Sequence, residues 1–328
     1  MKKKIILSAL LLFSAVLGAC SDSGSSAEAE DAAAGYPEKP IQLIVPWSAG
    51  GDTDAIYRIA SAELSKELGQ KVVIQNVAGA SGVVGAQQAL TAKPDGYTLL
   101  AVHDSVAMSQ MTGQAEFGYS DFEPVAMLTS SYDFVATSPD NPWDSMADLV
   151  ADAEKNPGKI SYAASIGSTS QLEPVLLESV ADIKLNIVGY DGTAERMKAV
   201  VANDVALGSV SAIAGKDYIA DNRMKLIGYN GAERSNVLPD VPTLKEQGLD
   251  MVSGTNRGIV APKGTPEAII ERLSDALEKV ASNEDFVKKI VDMGTDVNFK
   301  NTEDYKEFIK QSEEEMKELL KTSGLLKE

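Results

Sequence analysis

The sequence predicts an α/β fold of two lobes, each a mostly parallel sheet flanked by helices. Three observations carry that expectation. Short β-branched runs alternate with stretches of helical period, and Gly- and Ser-rich segments join strand to helix. The stretch from about Tyr36 to Glu328 is also long enough for two domains of ordinary size.

Ile41-Gln42-Leu43-Ile44-Val45 reads as a buried strand. Ile56, Ile59, Ala60, Leu64 and Leu68 then draw one face of a helix that Gly69 stops. Val72 to Ile74 is the next strand, Val83 to Leu90 the next helix, and Pro94-Asp95-Gly96 turns the chain into Tyr97 to Val102. Strand–helix–strand order implies right-handed crossovers in a parallel sheet. A second set follows Trp143: a helix over 145–155, a strand over 160–163, a helix through Val180 and a strand over 185–190. Next come a helix over 193–202 and strands near 205–210 and 225–229. The tail over 265–320 is mainly helical, with Ile269, Ile270, Leu273, Leu277 and Val280 on one face. Pro266 falls just inside the start of that helix, where proline is tolerated best.

The N-terminus decides the compartment. Lys2, Lys3 and Lys4 precede an apolar run from Ile5 to Leu17, which ends in Leu17-Gly18-Ala19-Cys20. This is the layout of a secretory signal over residues 1–19. The run is shorter than the roughly 20 residues that span a bilayer as a helix. Cys20 is the one cysteine, so an internal disulfide is excluded. Residues 21–35 hold Ser, Ala, Gly and acids with no large apolar side chain, the composition of a flexible tether.

Composition narrows the function. The chain is 44% hydrophobic and 24% charged, which is globular, and its formal charge is −18. That charge argues against nucleic acid, which is held through Lys and Arg on phosphates. It also opposes long-range attraction of anions, so an anion site must be local. A metalloenzyme would want clustered His, Cys, Asp and Glu ligands, and neither His nor Cys is available in number. A hydrolase would want a nucleophile beside a base, yet there is one histidine and no Gly-x-Ser-x-Gly elbow. No cofactor is expected.

Four loops share one design of strand, Gly/Ser-rich turn and helix start. They contain Ser48, Ala49, Gly50, Gly51 and Thr53; Gly79, Ala80, Ser81 and Gly82; Gly167, Ser168, Thr169, Ser170 and Gln171; and Tyr190, Asp191 and Gly192. In open parallel sheets such loops sit beyond the carboxyl ends of the strands, where ligands bind. Helix N-termini aim unpaired N–H groups there, and hydroxyls add donors. None matches a Walker loop or a dinucleotide fingerprint. Two loops come from each half of the chain, which places a pocket for a small anion between two lobes. Arg257 is the candidate for specificity, since a guanidinium grips a carboxylate bidentately. Asp52 and Asp54 read as helix N-caps, because a carboxylate facing an anion repels it. Asp133 and Trp143 read as surface or hinge features.

The run Ile44-Val45-Pro46-Trp47-Ser48-Ala49-Gly50-Gly51-Asp52-Thr53-Asp54 resembles the opening signature of the tripartite tricarboxylate transporter substrate-binding proteins, the TctC or Bug family. Further segments agree in order: residues 76–85, Pro94 to Leu100, Asn156 to Lys159, Leu238 to Thr243 and Ala261 to Pro266. Cys20 sits as in a bacterial lipobox, where the cysteine becomes the lipidated N-terminus. The resemblance implies a type II periplasmic-binding-protein-like fold that closes on a carboxylate. Lobe 1 would comprise 36–130 and 251–328, and lobe 2 would comprise 131–250. It places ligand contacts on the four loops, one carboxylate being held by backbone N–H groups, hydroxyls and water. Three features depart from the family pattern. Gln171 stands where histidine is frequent, Pro174 falls early in a helix and so should lie in its first turn, and Gly254 to Gly258 lacks the usual tryptophan.

The expected protein is a monomeric solute-binding lipoprotein, periplasmic or on the cell surface, held to the bilayer through Cys20. It would capture a di- or tricarboxylate and deliver it to membrane transporter subunits. The alternatives are a receptor that reports the same ligand to a sensor and a carboxylate-dependent enzyme on the same fold.

Overall fold

The computed structural model describes residues 35–190 and 193–327, so the predicted leader, Cys20 and most of the tether lie outside the described residues. The first sheet contains β1 (Ile41–Val45), β2 (Val72–Asn76), β3 (Thr98–His103), β4 (Phe122–Tyr132), β10 (Gly254–Pro262) and β11 (Thr295–Lys300). Its strand order is β11-β4-β10-β3-β1-β2. β1 runs parallel to β2 and β3, while β10 is antiparallel to β3 and β4. The second sheet holds β5 (Phe134–Thr137), β6 (Ser161–Ala164), β7 (Asn186–Gly189), β8 (Leu207–Val210) and β9 (Lys225–Tyr229), in the order β7-β6-β8-β5-β9. β6 is parallel to β7 and β8, and β5 is antiparallel to β8 and β9.

Helices cover both faces of the first sheet. α1 (Asp52–Leu68), α8 (Glu267–Ala281) and α9 (Glu284–Val291) lie on one face; α2 (Val83–Leu90), α3 (Ser105–Met111) and α10 (Thr302–Thr322) lie on the other. A parallel strand buried on both faces has no polar side to present, which is why β1 reads as a nearly unbroken apolar run. α4 (Met146–Lys155), α5 (Thr169–Ala181), α6 (Thr193–Val201) and α7 (Ala212–Ala220) belong to the second sheet. The predicted face of α8, from Ile269 to Val280, is buried against the first sheet. Gly69 ends α1 in the left-handed conformation at φ 69°, which glycine adopts without steric cost.

The chain changes sheet at one residue. Asp133 alone separates β4 from β5, and the return passes through Asn230 to Gly254. The Asn230 N–H donates to the Asp133 carbonyl at 3.0 Å, and the Ser253 N–H donates to the Asn230 carbonyl at 3.1 Å. The two crossings are thereby stitched side by side.

Several expectations need correction. β4, β5 and β10 form the junction between the sheets, and none of the three is among the strands expected from the sequence. Pro266 is the N-cap of α8, one residue outside the helix, because its ψ of 137° is extended. Pro174 lies at the sixth position of α5, beyond the first turn. α5 starts early because the Gln171 N–H reaches the Ser168 carbonyl at 2.9 Å and closes a turn before the proline. Trp143 is buried in the second core, and its indole N–H donates to Asp152 at 2.9 Å, so it is not a surface feature.

Leu43 is fully buried on β1, which is paired on both sides by β2 and β3. Leu43→Ala is expected to cost about 2–5 kcal/mol, the range for a leucine truncated in a packed core. Urea unfolding monitored by circular dichroism measures it, and a loss below about 1 kcal/mol would contradict this packing.

Candidate ligand-binding cleft

The four Gly/Ser-rich loops leave the carboxyl ends of β1, β2, β6 and β7, each running into a helical turn. Ser48, Ala49, Gly50 and Gly51 lie exposed on the first. The N-cap of α1 is Gly51, with no side-chain cap bond, so Asp52 and Asp54 are not caps. Asp54 sits in the first turn and reaches back, accepting the Gly50 N–H at 2.9 Å. It also accepts from Arg58 Nε at 2.8 Å and Asn76 Nδ2 at 2.9 Å. Burial raises its pKa, but the bonds from Arg58, Gly50 and Asn76 outweigh that and hold it below the usual value. Asp54 therefore fastens the loop and leaves other N–H groups free to face a ligand.

The second loop makes a 3₁₀ turn over Ala80–Gly82, and its Ser81 hydroxyl donates to the Ile166 carbonyl at 3.3 Å, across to the second lobe. In the third loop the Ser165 N–H donates to Ser170 Oγ at 2.9 Å and the Gly167 N–H to Gln171 Oε1 at 2.7 Å. Gln171 is buried and spends its amide oxygen on this loop, so its role here is to shape the turn. Ser168 donates to the Ser165 carbonyl at 2.8 Å, and Thr169 opens α5. On the fourth loop the Tyr190 N–H donates to the Ala164 carbonyl at 2.8 Å, while Asp191 and Gly192 lie outside the described residues.

Loops from the two lobes meet. Beyond the Ser81 contact, the Ser109 hydroxyl donates to the Gly167 carbonyl at 3.5 Å. Gln114 packs where a Cβ on Gly167 would stand. Gly167 has φ +77°, a conformation glycine alone adopts readily.

Two arginines are buried at this junction, each about 6% exposed. Arg257, on β10, donates from Nε to Thr53 Oγ1 at 3.1 Å and from Nη1 to Ser131 Oγ at 2.6 Å. Arg196, on α6, donates to Ser165 Oγ at 2.7 Å and Thr193 Oγ1 at 3.1 Å, and its Nε has no partner among the described residues. Hydroxyls orient both guanidiniums, and among the described residues no carboxylate stands within 4.0 Å of either. Burial lowers the pKa of each, opposed by nearby acids: Asp52, Asp133 and Asp104 for Arg257, Asp133 and Glu173 for Arg196.

The rest of the junction is polar. Trp47 stacks on His103 at 3.8 Å between ring centroids. Burial, with the Arg257 charge, pulls His103 well below its usual pKa and keeps it neutral. Asp104 is held by the Asn256 backbone N–H at 3.1 Å and side-chain amide at 3.2 Å, yet burial pushes it up to about 6. Asp133, expected as a surface or hinge residue, stands half-buried among charges from both lobes. Burial pushes its carboxyl up to about 7, helped by Glu173 and Asp52 and opposed by Arg196 and Arg257.

Sequence reasoning reached Arg257, named Asp133 only as a surface or hinge feature, and missed Arg196, Glu173 and Asn230. Arg196 follows the Gly192 loop by one helical turn, which was the available signal. Asn230 carried none, because only the crossing brings it to Asp133.

This arrangement can be set beside known proteins. The profile of the tripartite tricarboxylate transporter family receptor, TctC, matches residues 56–325. The chain belongs to the TctC family. A UPF0065 protein from the gbd 5′ region of Cupriavidus necator is 31% identical over 301 residues, 89% of this chain and 90% of that protein. The structure of the periplasmic binding protein BugD has a TM-score of 0.79 at 30% identity, covering 89% of this chain and all of that one. MatC from Rhodopseudomonas palustris with bound malate has a TM-score of 0.77 at 25% identity, covering 87% of this chain and 100% of that one. The fold is thus the two-lobed α/β architecture of these binding proteins, and TctC proteins are solute-binding receptors, not enzymes. Among the described residues no helix is long and apolar enough to cross a membrane.

Two outcomes follow for this TctC-family cleft. Gly167→Ala is expected to weaken ligand binding at least tenfold while circular dichroism stays unchanged, and adding Gln114→Ala is expected to recover part of the loss. Calorimetry on the three proteins checks this, and unchanged affinity in the single variant removes the Gln114–Gly167 contact from closure. For His103, the unfolded ring takes up a proton below about pH 6.5 whereas the buried ring does not. Its contribution to stability is therefore expected to fall as pH drops through that value. His103→Asn should flatten this part of a stability–pH curve, measured by urea unfolding.

Proposed function

We propose that this chain is an extracytoplasmic solute-binding lipoprotein, anchored through Cys20, that captures a small organic acid of the di- or tricarboxylate class. It closes its two lobes on the acid and presents the closed form to the membrane subunits of a tripartite tricarboxylate transporter. The observation that carries this reading is Arg257: a buried guanidinium, aimed by Thr53 and Ser131, with no carboxylate of the protein paired to it among the described residues. Burying an unpaired charge is costly, and a ligand carboxylate offsets that cost. The malate bound to MatC, a protein of the same fold, is an acid of this class.

The first carboxylate would meet backbone N–H groups of the first and second loops around Ala49, Gly51 and Ser81, and a second would reach Arg257. Because both lobes supply donors, the ligand binds the closed form more tightly and shifts the population toward it. An acidic protein holds an anion in this way through local dipoles, without needing a net positive surface.

A thermal-shift screen of the folded body against small organic acids tests the reading. A ligand at 100 times its Kd stabilises the native state by about 2.7 kcal/mol through mass action. One or a few acids are expected to give a clear shift, confirmed by calorimetry. Arg257→Ala is expected to weaken the preferred ligand by about 2–5 kcal/mol, as for a buried charged hydrogen bond that loses one partner. Acids with a single carboxylate should lose much less. Equal losses for both kinds would overturn the role of Arg257, and absence of any shift with any acid would overturn the ligand class.

A further inference from the structure

A cavity of about 310 Å³ lies outside the cleft, between the start of β11 and the segment that follows β9. The first sheet and its helix α9 give it Tyr132, Val291 and Asp296. The second sheet and the crossing that leaves it give Tyr229, Glu233 and Val237.

Sheet order separates this cavity from the cleft. The four loops leave β1 and β2 at one side of the first sheet, and β6 and β7 at one side of the second. β11 and β9 are the strands at the opposite edges. The β4–β5 crossing at Asp133 therefore runs between the two places, and the cavity backs the hinge. Segments from the two sheets touch there: a Cβ on Gly294 would stand 3.1 Å from Ala212 and 3.6 Å from Val237.

The lining carries negative charge that the protein leaves unmatched. Asp296 and Glu233 are exposed, and no lysine or arginine nitrogen comes within 4.0 Å of either carboxylate among the described residues. Arg234 also lines the cavity, but its Nε donates to the two Glu246 oxygens at 2.8 and 3.0 Å. Its Nη1 donates to the Pro239 carbonyl at 3.0 Å, so its charge is matched within the protein. Burial, and next the Asp296 charge, raises the pKa of the Tyr132 and Tyr229 phenols. Both hydroxyls stay protonated and keep oxygen lone pairs for a donor.

A cation answers this charge, and the rest of the lining says which kind. No group of three or more His, Cys, Asp or Glu that could hold a metal ion occurs among the described residues. Val237 is exposed, and it lines the cavity with Val291 and the nearly perpendicular rings of Tyr132 and Tyr229. An ion with a charged head and a short hydrocarbon body meets both kinds of wall.

We propose that this cavity is a second binding site, separate from the acid cleft, for a small primary alkylammonium ion. Asp296 holds the ammonium group, and the hydrocarbon body lies against Val237 and the tyrosine rings. Because each sheet supplies one wall, the bound ion fastens the two together behind the hinge.

Calorimetry with n-butylammonium at pH 7.5 tests it, with 1-butanol as the neutral match of equal length. The wild-type protein is expected to bind butylammonium saturably and at least tenfold more tightly than butanol. Asp296→Asn is expected to weaken butylammonium at least fivefold. Val237→Trp, which fills the cavity from an exposed position, is expected to abolish its binding; circular dichroism checks that both variants fold. Butylammonium that binds both folded variants as tightly as wild type sits elsewhere, and that result overturns the proposal. Equal affinity for butanol and butylammonium overturns the role of Asp296. No saturable binding up to about 10 mM overturns the site itself.

Discussion

The Asn230 N–H donates to the Asp133 carbonyl at 3.0 Å, and the Asn230 carbonyl accepts from Ser253 at 3.1 Å. These bonds join the outward and return crossings between the two sheets. β10 then pairs with β4 from Gly254 opposite Tyr132 to Pro262 opposite Phe122, which carries that alignment into the first sheet. A two-lobed protein can function as a clamp only if its hinge holds the loop-bearing ends of both sheets face to face. Two crossings stitched together permit bending and resist twist, so the loops after β1, β2 and β6 arrive opposite one another.

At the junction between the two sheets, neutral groups orient the charged ones. Thr53, Ser131, Ser165 and Thr193 aim the two buried arginines. A carboxylate in those places would satisfy each guanidinium within the protein and leave less for a ligand. Hydroxyls orient a charge without neutralising it. The acids nearby are pushed upward by burial, Asp104 to about 6 and Asp133 to about 7, so the local field can change with proton occupancy. Asp54 is the contrast: its three donors keep it below its ordinary value, and its work is confined to one loop.

Much of the fold was legible because burial leaves a periodic trace. The apolar run from Ile41 to Val45 marks a strand covered on both faces, and the α8 face from Ile269 to Val280 carries the helical period. Both are buried as expected. β4 and β10 escaped because Ser, Thr, Asn and Gly interrupt their apolar pattern near the junction. Pro174 misled for a related reason, since local bonds among Ser165, Ser168, Ser170 and Gln171 begin α5 sooner than proline chemistry alone suggests.

The sequence by itself determined the α/β alternation, the Gly- and Ser-rich turns at strand ends, the family resemblance and the interest of Arg257, because these are local or ordered along the chain. Only the tertiary structure decided that Arg196, Asp133, Glu173 and Asn230 share one buried junction. Those residues lie far apart in sequence, and their proximity comes from a change of sheet at one residue and a return about a hundred residues later. A charge acquires its meaning from what surrounds it. Asp133 reads as a surface or hinge residue in the sequence, and the fold sets it among Asp52, Glu173, Arg196 and Arg257.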